Sequence, residues 1–465
     1  MLEIRKNYII YKINSLKVKK EVESMLKLIL LEPEVDTEYK LSVPSYQGKP
    51  SLWALYLGTF LREKISKVEI TILDCRFFST DKLRKWAKKI KPDFVGISPK
   101  YISYKNTIAA ARIFKKSGAK VVLGGFYATA LKKEILENRG PGFEDYCIDA
   151  IIKEDGEKAF YEYVSGVPPA KINNLIWRDG KEIRENRTEL LNLDSLPIPD
   201  RELVDIDKYF IPKRKTLTFL SQKGCSWRAN GGGCVFCSYP PNRVRLRNPL
   251  RVWEEIMFLK KKYDIDVFMD ANDNFFNDLA WAKDFRKAAL KYDDKPLFEI
   301  FAKPNDINKA TVNILKEINA GIVHLGIESG SQRSLFRLGI KVEQKSIGEA
   351  IERLSANHVK MIFSFVLGAP GEDERTIDET LKLIKKGAAM PFVVDIHVSR
   401  LHPYPGSPAW KMLIGETGIK YKGKDIIEWR EVMTDWSKLF CDISPKLFSE
   451  KVAEAKRLSR QTKIR

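Results

Sequence analysis

Apolar residues recur along this chain in two alternating rhythms, short unbroken runs and longer stretches at helical spacing. The runs at residues 28–31, 68–73, 94–98, 121–125 and 150–152 are too short for buried helices and read as buried strands. Between them, residues 52–64 and 108–116 place apolar side chains three and four apart, as in helices with one buried face. Strand and helix alternate with short connections. That predicts an α/β fold with a doubly wound, Rossmann-like parallel sheet over about residues 1–165. Its first residues, 1–31, mix lysines with apolar positions and carry no continuous apolar core of a secretory signal.

A connector follows over residues 166–211. Within it, 174–183 reads as a hairpin closed by Asp179-Gly180, and Leu196-Pro197-Ile198-Pro199 as a proline-stiffened crossing. Residues 212–415 hold six further strand–helix units, with strands at 216–220, 267–270, 297–302, 322–327, 361–367 and 393–401. Six such units predict a partial (β/α)6 barrel with its working face at the strands' carboxyl ends. The last segment, 416–465, is helical and basic.

Composition narrows the class. The chain has 465 residues, 44% of them hydrophobic, and no apolar run approaches the length of a membrane span. The expected location is the cytoplasm. Six cysteines, three of them clustered, suit a reducing compartment better than a disulfide scaffold. A net charge of +20 calls for an anionic partner or a lysine-rich solvated surface, and lysine spread along the whole chain favours the second.

The densest chemistry lies in Gly224-Cys225-Ser226-Trp227-Arg228-Ala229-Asn230-Gly231-Gly232-Gly233-Cys234-Val235-Phe236-Cys237. It leaves the carboxyl end of the first barrel strand, where α/β proteins place their sites. An ordinary 4Fe-4S cluster has four cysteine ligands, so one held by Cys225, Cys234 and Cys237 leaves an iron open to another molecule. Two other readings stand beside this one. Structural zinc would need a distant fourth ligand such as Cys441 or one of four histidines. A redox pair of Cys234 and Cys237 leaves Cys225 unexplained. The three glycines allow the loop to extend without strain. At the predicted ends of the first sheet's strands lie Ser98-Pro99, Gly124-Gly125 and Glu154-Asp155-Gly156-Glu157, each either a ligand loop or a tight turn.

Taken in order, these motifs resemble the radical S-adenosylmethionine (SAM) enzymes that carry a cobalamin (B12)-binding domain ahead of the barrel. Asp93-Phe94-Val95-Gly96-Ile97-Ser98, Val121-Val122-Leu123-Gly124-Gly125-Phe126 and Asp149-Ala150-Ile151-Ile152 match the B12 domain. Residues 44–58 resemble its first cofactor loop and helix, and the hairpin and proline crossing resemble its linker. In the barrel, Asp270-Ala271-Asn272-Asp273, Gly326-Ile327-Glu328-Ser329-Gly330-Ser331, Gly368-Ala369-Pro370-Gly371-Glu372 and Pro403-Tyr404-Pro405-Gly406-Ser407 fall in the family's order. Two departures accompany the match. The family's usual cysteine spacing is three and then two, against eight and then two here, and Glu154-Asp155 replaces Gly-Glu.

The resemblance implies a 4Fe-4S cluster on Cys225, Cys234 and Cys237, and SAM held by Phe236, Asp270, Glu328, Ser329, Gly368 and Pro370. It implies cobalamin held by Ser98, Gly124, Gly125, Glu154, Gly156 and Glu157, and an electron donor such as flavodoxin or ferredoxin. The implied activity is methyl transfer to an unactivated carbon. A rearrangement, cyclisation or sulfur insertion with a degenerate B12 domain is the alternative, and a non-catalytic iron–sulfur or zinc RNA-binding protein the third. The catalytic residues and the substrate stay open, with protein or peptide, lipid, tetrapyrrole, natural product and RNA all among the candidates. Arg243, Arg245 and Arg247 alternate after the cysteines and suit phosphate or carboxylate binding or salt bridges equally. His324, His397 and His402 fall on or near barrel strands, where hydrogen-bonded structural roles are expected, and His358 reads as a surface residue. Cys75, Cys147 and Cys441 read as scattered buried thiols.

Overall fold

The computed structural model describes residues 25–35, 49–78, 80–137, 146–210, 214–240, 243–418, 420–421 and 427–462. The lysine-rich pattern of residues 1–24 and positions 44–48 of the expected first cofactor loop lie outside the described residues.

The first sheet contains β1 (Leu26–Glu32), β2 (Val68–Asp74), β3 (Phe94–Ile97), β4 (Lys120–Gly124), β5 (Ala150–Ile152), β6 (Leu175–Asp179) and β7 (Glu182–Glu185). Their order is β2-β1-β3-β4-β5-β6-β7. The first five strands run parallel, and β6 and β7 run antiparallel. Both faces are buried, which explains the unbroken apolar runs. In β1, Ile29 and Leu31 enter one core while Leu28 and Leu30 enter the other. The chain goes from β1 outward to β2 and returns on the far side to β3. Helices diverge at such a reversal, opening a crevice beyond the carboxyl ends of the strands. The connector's hairpin is no free linker: β6 pairs with β5, Ile176 opposite Ile151, and so widens this sheet.

The second sheet contains β8 (Thr216–Phe219), β11 (Val267–Asp270), β12 (Leu297–Ala302), β13 (Ala320–Glu328), β14 (Lys360–Leu367) and β15 (Val393–Arg400). A short ribbon, β9 (Gln222–Lys223) with β10 (Arg245–Leu246), stands apart from it. The six strands are parallel and adjacent in chain order, as a partial barrel requires. Leu217, Phe268, Phe298, Ile300, Val323, Leu325 and Phe363 point outward to the helices in one core. The alternate positions, among them Thr218, Met269, Glu299 and His324, line the concave face. Side-chain caps fix where the outer helices begin: Asn308 and Asp373 each form a reciprocal capping box.

The basic tail ties the two units together. Helix Pro445–Ser459 sends Phe448, Val452 and Ala455 into the barrel's outer core. Helix Trp429–Phe440 packs Trp429, Val432 and Trp436 into a core shared with Ile29, Val95 and Val121 of the first sheet. Among the described residues, no helix is long and apolar enough to cross a membrane.

Candidate active site at the seam of the two sheets

The unusual spacing between the first two cysteines is taken up by a turn of helix. Ala229 N–H donates to Cys225 O at 2.9 Å and Asn230 N–H to Ser226 O at 3.1 Å, so the chain coils back instead of extending. The triple glycine is then a packing requirement. A Cβ on Gly232 would stand 2.4 Å from the Trp227 ring, and one on Gly233 2.4 Å from the Arg228 guanidinium. Those side chains fold over the loop's backbone, and Arg228 donates to Tyr239 O at 2.7 Å. Cys237 N–H closes a turn onto Cys234 O at 3.0 Å, and Tyr239 N–H donates to Cys237 Sγ at 3.4 Å.

The three thiols sense one another. Burial pushes Cys234 up most, and Glu328, Cys237 and Cys225 push it further. Burial likewise pushes Cys237 up. Among the described residues, no group of three His, Cys, Asp or Glu is drawn together around one metal ion. Sulfurs sharing a single zinc lie within about 4 Å of each other, given Zn–S bonds of about 2.3 Å. A four-iron cube takes thiolates from separate corners. Cys441, the distant candidate for a fourth zinc ligand, faces Ala369 O at 3.9 Å and neighbours Glu372 and Asp442.

The residues expected around SAM divide into two groups. Glu328 ends β13 beside the cysteines, at a register shift and with φ of +66°. A left-handed backbone is costly for glutamate, and such strain at a strand end re-aims a side chain. Burial holds its carboxyl up, at about 7. Phe236 packs at the edge of the core that also holds Ala369 and Leu401.

Asp270, Ser329 and Gly368 are instead engaged internally. Both oxygens of Asp270 are taken, one by Ser221 N–H at 3.1 Å and the other by Asn272 Nδ2 at 2.8 Å and the Ser221 hydroxyl. The polar atom left without a partner there is Asn272 Oδ1. Ser329 shares its hydroxyl with Thr380 at 2.9 Å and with Ser331 N–H at 3.1 Å. Gly368 N–H donates to the Glu372 carboxylate, and Gly368 O accepts from Trp436 Nε1 at 2.8 Å. Pro370 lies in the loop so closed. Glu372 does not start the next helix, which Asp373 caps. It turns back into its own loop, where burial raises its carboxyl to about 7.

Two further groups stand in a motif already marked in the sequence. Asn272 and Asp273 lie beside Asp270 in the same motif, and burial alone lifts Asp273 to about 6 next to Cys237. Residue identity marked that segment, but hydrogen-bond geometry decides which member faces the site.

On the other side of the seam, Ser98, Gly124, Gly125, Glu154, Gly156 and Glu157 all line one cavity of about 340 Å³. It lies at the carboxyl ends of β3, β4 and β5. Leu57 and Phe160 of the first unit wall it, and Leu220, Lys223 and Ala271 of the barrel close it. Gly125 adopts φ of +85°, with its Cβ position 3.0 Å from Ser98 Oγ, so a larger residue would be strained and would crowd the hydroxyl. Glu154 also sits in the left-handed region, at +57°. Glu157 Oε2 is buried without a partner. Phe126, after Gly125, meets Tyr239, after the cysteines, with ring centroids 5.0 Å apart. The two loop systems therefore touch.

The alternating arginines lock this seam. Arg245 pairs with Asp155, and Arg247 with the buried Glu255 at 2.7 Å. His402 is a structural histidine: it donates Nδ1–H to Arg400 O at 2.8 Å, and burial lowers its pKa to about 4.

Comparison with known proteins agrees with this layout. Residues 220–384 match the Radical SAM superfamily. A protein of Pyrococcus horikoshii named as an uncharacterized methyltransferase is 26% identical over 88% of this chain and 87% of its own length. The anaerobic magnesium-protoporphyrin IX monomethyl ester cyclase of Rubrivivax gelatinosus is 25% identical over 72% of this chain and 62% of its own. Among solved structures, the radical SAM methyltransferase TsrM from Kitasatospora setae, with cobalamin and a 4Fe-4S cluster bound, superposes with a TM-score of 0.71. That match has 15% identity and covers 93% of this chain and 91% of TsrM. The cobalamin-dependent radical enzyme OxsB gives 0.64 at 18% identity over 86% of this chain, which spans 57% of OxsB. With residues 220–384 matched to the Radical SAM superfamily and its whole fold like that of these two enzymes, the chain carries a radical SAM domain.

Proposed function

We propose that this chain is a cobalamin-dependent methyltransferase that methylates an unactivated carbon. One observation carries the reading: all six residues expected at cobalamin line a single cavity whose far wall, Leu220, Lys223 and Ala271, belongs to the barrel. The residues suit the group. The cavity combines apolar walls, the Ser98 hydroxyl, a glycine floor and the unpaired Glu157 Oε2, which fits a flat apolar moiety with polar edges.

When bound, the cluster with SAM supplies an adenosyl radical and cobalamin supplies a transferable methyl group; the protein supplies placement and dryness. Cys225, Cys234 and Cys237 hold the cluster. Phe236 and Glu328 position SAM, joined by the unpaired Asn272 Oδ1, while Asp270, Ser329, Gly368 and Pro370 keep the surrounding loops in shape. The Phe126–Tyr239 contact and the Asp155 ion pairs keep the two cofactor loops in register and exclude water. The same proposal places the protein in the cytoplasm, reduced by a donor such as flavodoxin or ferredoxin.

The name of the Rubrivivax relative favours a cyclisation as the second reading, with the first unit used differently. Anaerobic purification with cobalamin supplied, then mass spectrometry of bound cofactors, separates the two. About one cobalamin per chain supports methyl transfer; iron without cobalamin supports the second reading.

A further inference from the structure

The concave face of the barrel carries a side-chain cluster that the cofactor motifs do not use. Ile300, Val323 and Ile396 point outward to the helices, so Glu299, His324, Asp395 and His397 turn inward. Register across β12, β13, β14 and β15 sets these residues at neighbouring levels: Glu299 opposes Ile322, and His324 and Asp395 both oppose Ile362. His324 Nε2 lies 3.5 Å from Glu299 Oε2, while Arg214 takes the other oxygen. His397 Nε2 lies 3.0 Å from Asp395 Oδ2. The two imidazole centroids are 6.4 Å apart, and Phe301 stacks on His324 at 4.5 Å.

Both carboxylates stay ionised. The His397 hydrogen bond holds Asp395 below the usual range. Burial pushes Glu299 up, but His324, Lys49 and Arg214 together bring it below its ordinary value. Lys49 reaches in from the first unit, with Nζ 2.6 Å from Met269 Sδ, and with Arg214 offsets the charge of Glu299. A carboxylate accepts, so each Nε2 donates, and in a neutral ring each Nδ1 is then the acceptor. Among the described residues, neither Nδ1 has a hydrogen-bond partner, and no metal-binding group forms here.

We propose that these two imidazoles form the substrate-recognition floor of the barrel, accepting hydrogen bonds at Nδ1 from a substrate group that bears two O–H or N–H donors, such as a diol, amine or amide. The inference rests on the radical SAM reading of the barrel and deepens it by naming the substrate's chemical class. Charge compensation argues against an anionic group, because Arg214 and Lys49 are already committed around Glu299. Glu299 and Asp395 are positioning residues that fix the tautomers.

The chain has only four histidines, which makes the test direct. In the full-length, anaerobically reconstituted protein labelled with nitrogen-15 histidine, His324 and His397 should carry their ring protons on Nε2. His402, which donates from Nδ1, serves as the opposite reference. Added 1,3-propanediol should shift the Nδ1 signals of His324 and His397 saturably, while malonate, its dianionic counterpart, should not. Asp395→Asn should abolish the His397 response and Asp395→Glu should restore it. A proton on Nδ1 of either ring in the wild type, an equal response to malonate, or a diol response confined to the exposed His358 overturns the proposal. Adenosyl-radical chemistry is assayed separately as SAM cleavage, so its failure removes the parent reading without altering the spectra.

Discussion

Lys223 Nζ donates to Asp155 Oδ1 at 2.9 Å, across the seam between the first sheet and the barrel. Arg245, on the paired strand of the same ribbon, takes both Asp155 oxygens. Asp155 N-terminally flanks Gly156, and its carboxylate also accepts from Leu191 N–H at 2.8 Å. The loop of Glu154 and Gly156, which lines the cavity, is thus joined to the strand leading into the cysteines.

Asp155→Asn should cost about 3 kcal/mol of stability, because it leaves two buried or half-buried cations without their anion. Burial pushes the carboxyl up, but Arg245 and Lys223 more than reverse it, so its folded pKa is depressed. A depressed carboxylate stabilises the fold fully above its unfolded value of about 3.9, and the gain is lost as pH falls through the folded value. Urea unfolding of both proteins should therefore differ at pH 7 and converge in acid. Equal midpoints at pH 7 would remove the clamp.

Glu328→Ala should weaken SAM binding by on the order of 1–3 kcal/mol, the cost of leaving a buried polar partner unpaired. Anaerobic calorimetry reads this directly. Wild-type affinity in the variant would take Glu328 out of the site.

Much of this could be read from the chain. Runs such as residues 28–31 gave both strand and depth, because parallel strands buried on two faces are apolar at every position. Glu328 was found through its motif, but its strained backbone is visible only in three dimensions. The partners of Asp155 lie far along the chain, and no local pattern pairs them. The cysteine spacing read as an extended loop because glycine permits extension; Trp227 and Arg228 folding onto that glycine backbone is a packing fact. Ser329 and Gly368 carry the right identities, yet Thr380, Glu372 and Trp436 claim their polar groups. The partner of His324, Glu299, depends on strand register, which no local pattern reveals.

Gly232→Ala should disturb the cysteine loop at a cost of about 1–3 kcal/mol, since its methyl group would overlap the Trp227 ring. Iron retained per chain after reconstitution should fall, and adding Trp227→Ala should recover it. Full iron content in the single variant would show that the helical turn can yield.

Cobalamin bound at the first sheet should lack an imidazole ligand from that unit, because no histidine precedes His324. Electron paramagnetic resonance of the cob(II)alamin form should show no nitrogen superhyperfine splitting. Such splitting would establish a nitrogen ligand and refute base-off binding with an empty or water-held lower face.

The central claim is that three thiolates hold a cluster whose open iron engages SAM. Its most direct test is 5′-deoxyadenosine, measured by mass spectrometry after anaerobic reconstitution with about four irons per chain and reduction by dithionite in the presence of SAM. The wild type should form it slowly even without substrate, and Cys225→Ala, Cys234→Ala and Cys237→Ala should each abolish it. A protein that takes up zinc, forms no 5′-deoxyadenosine, or forms it equally in the Cys225→Ala variant would contradict the account.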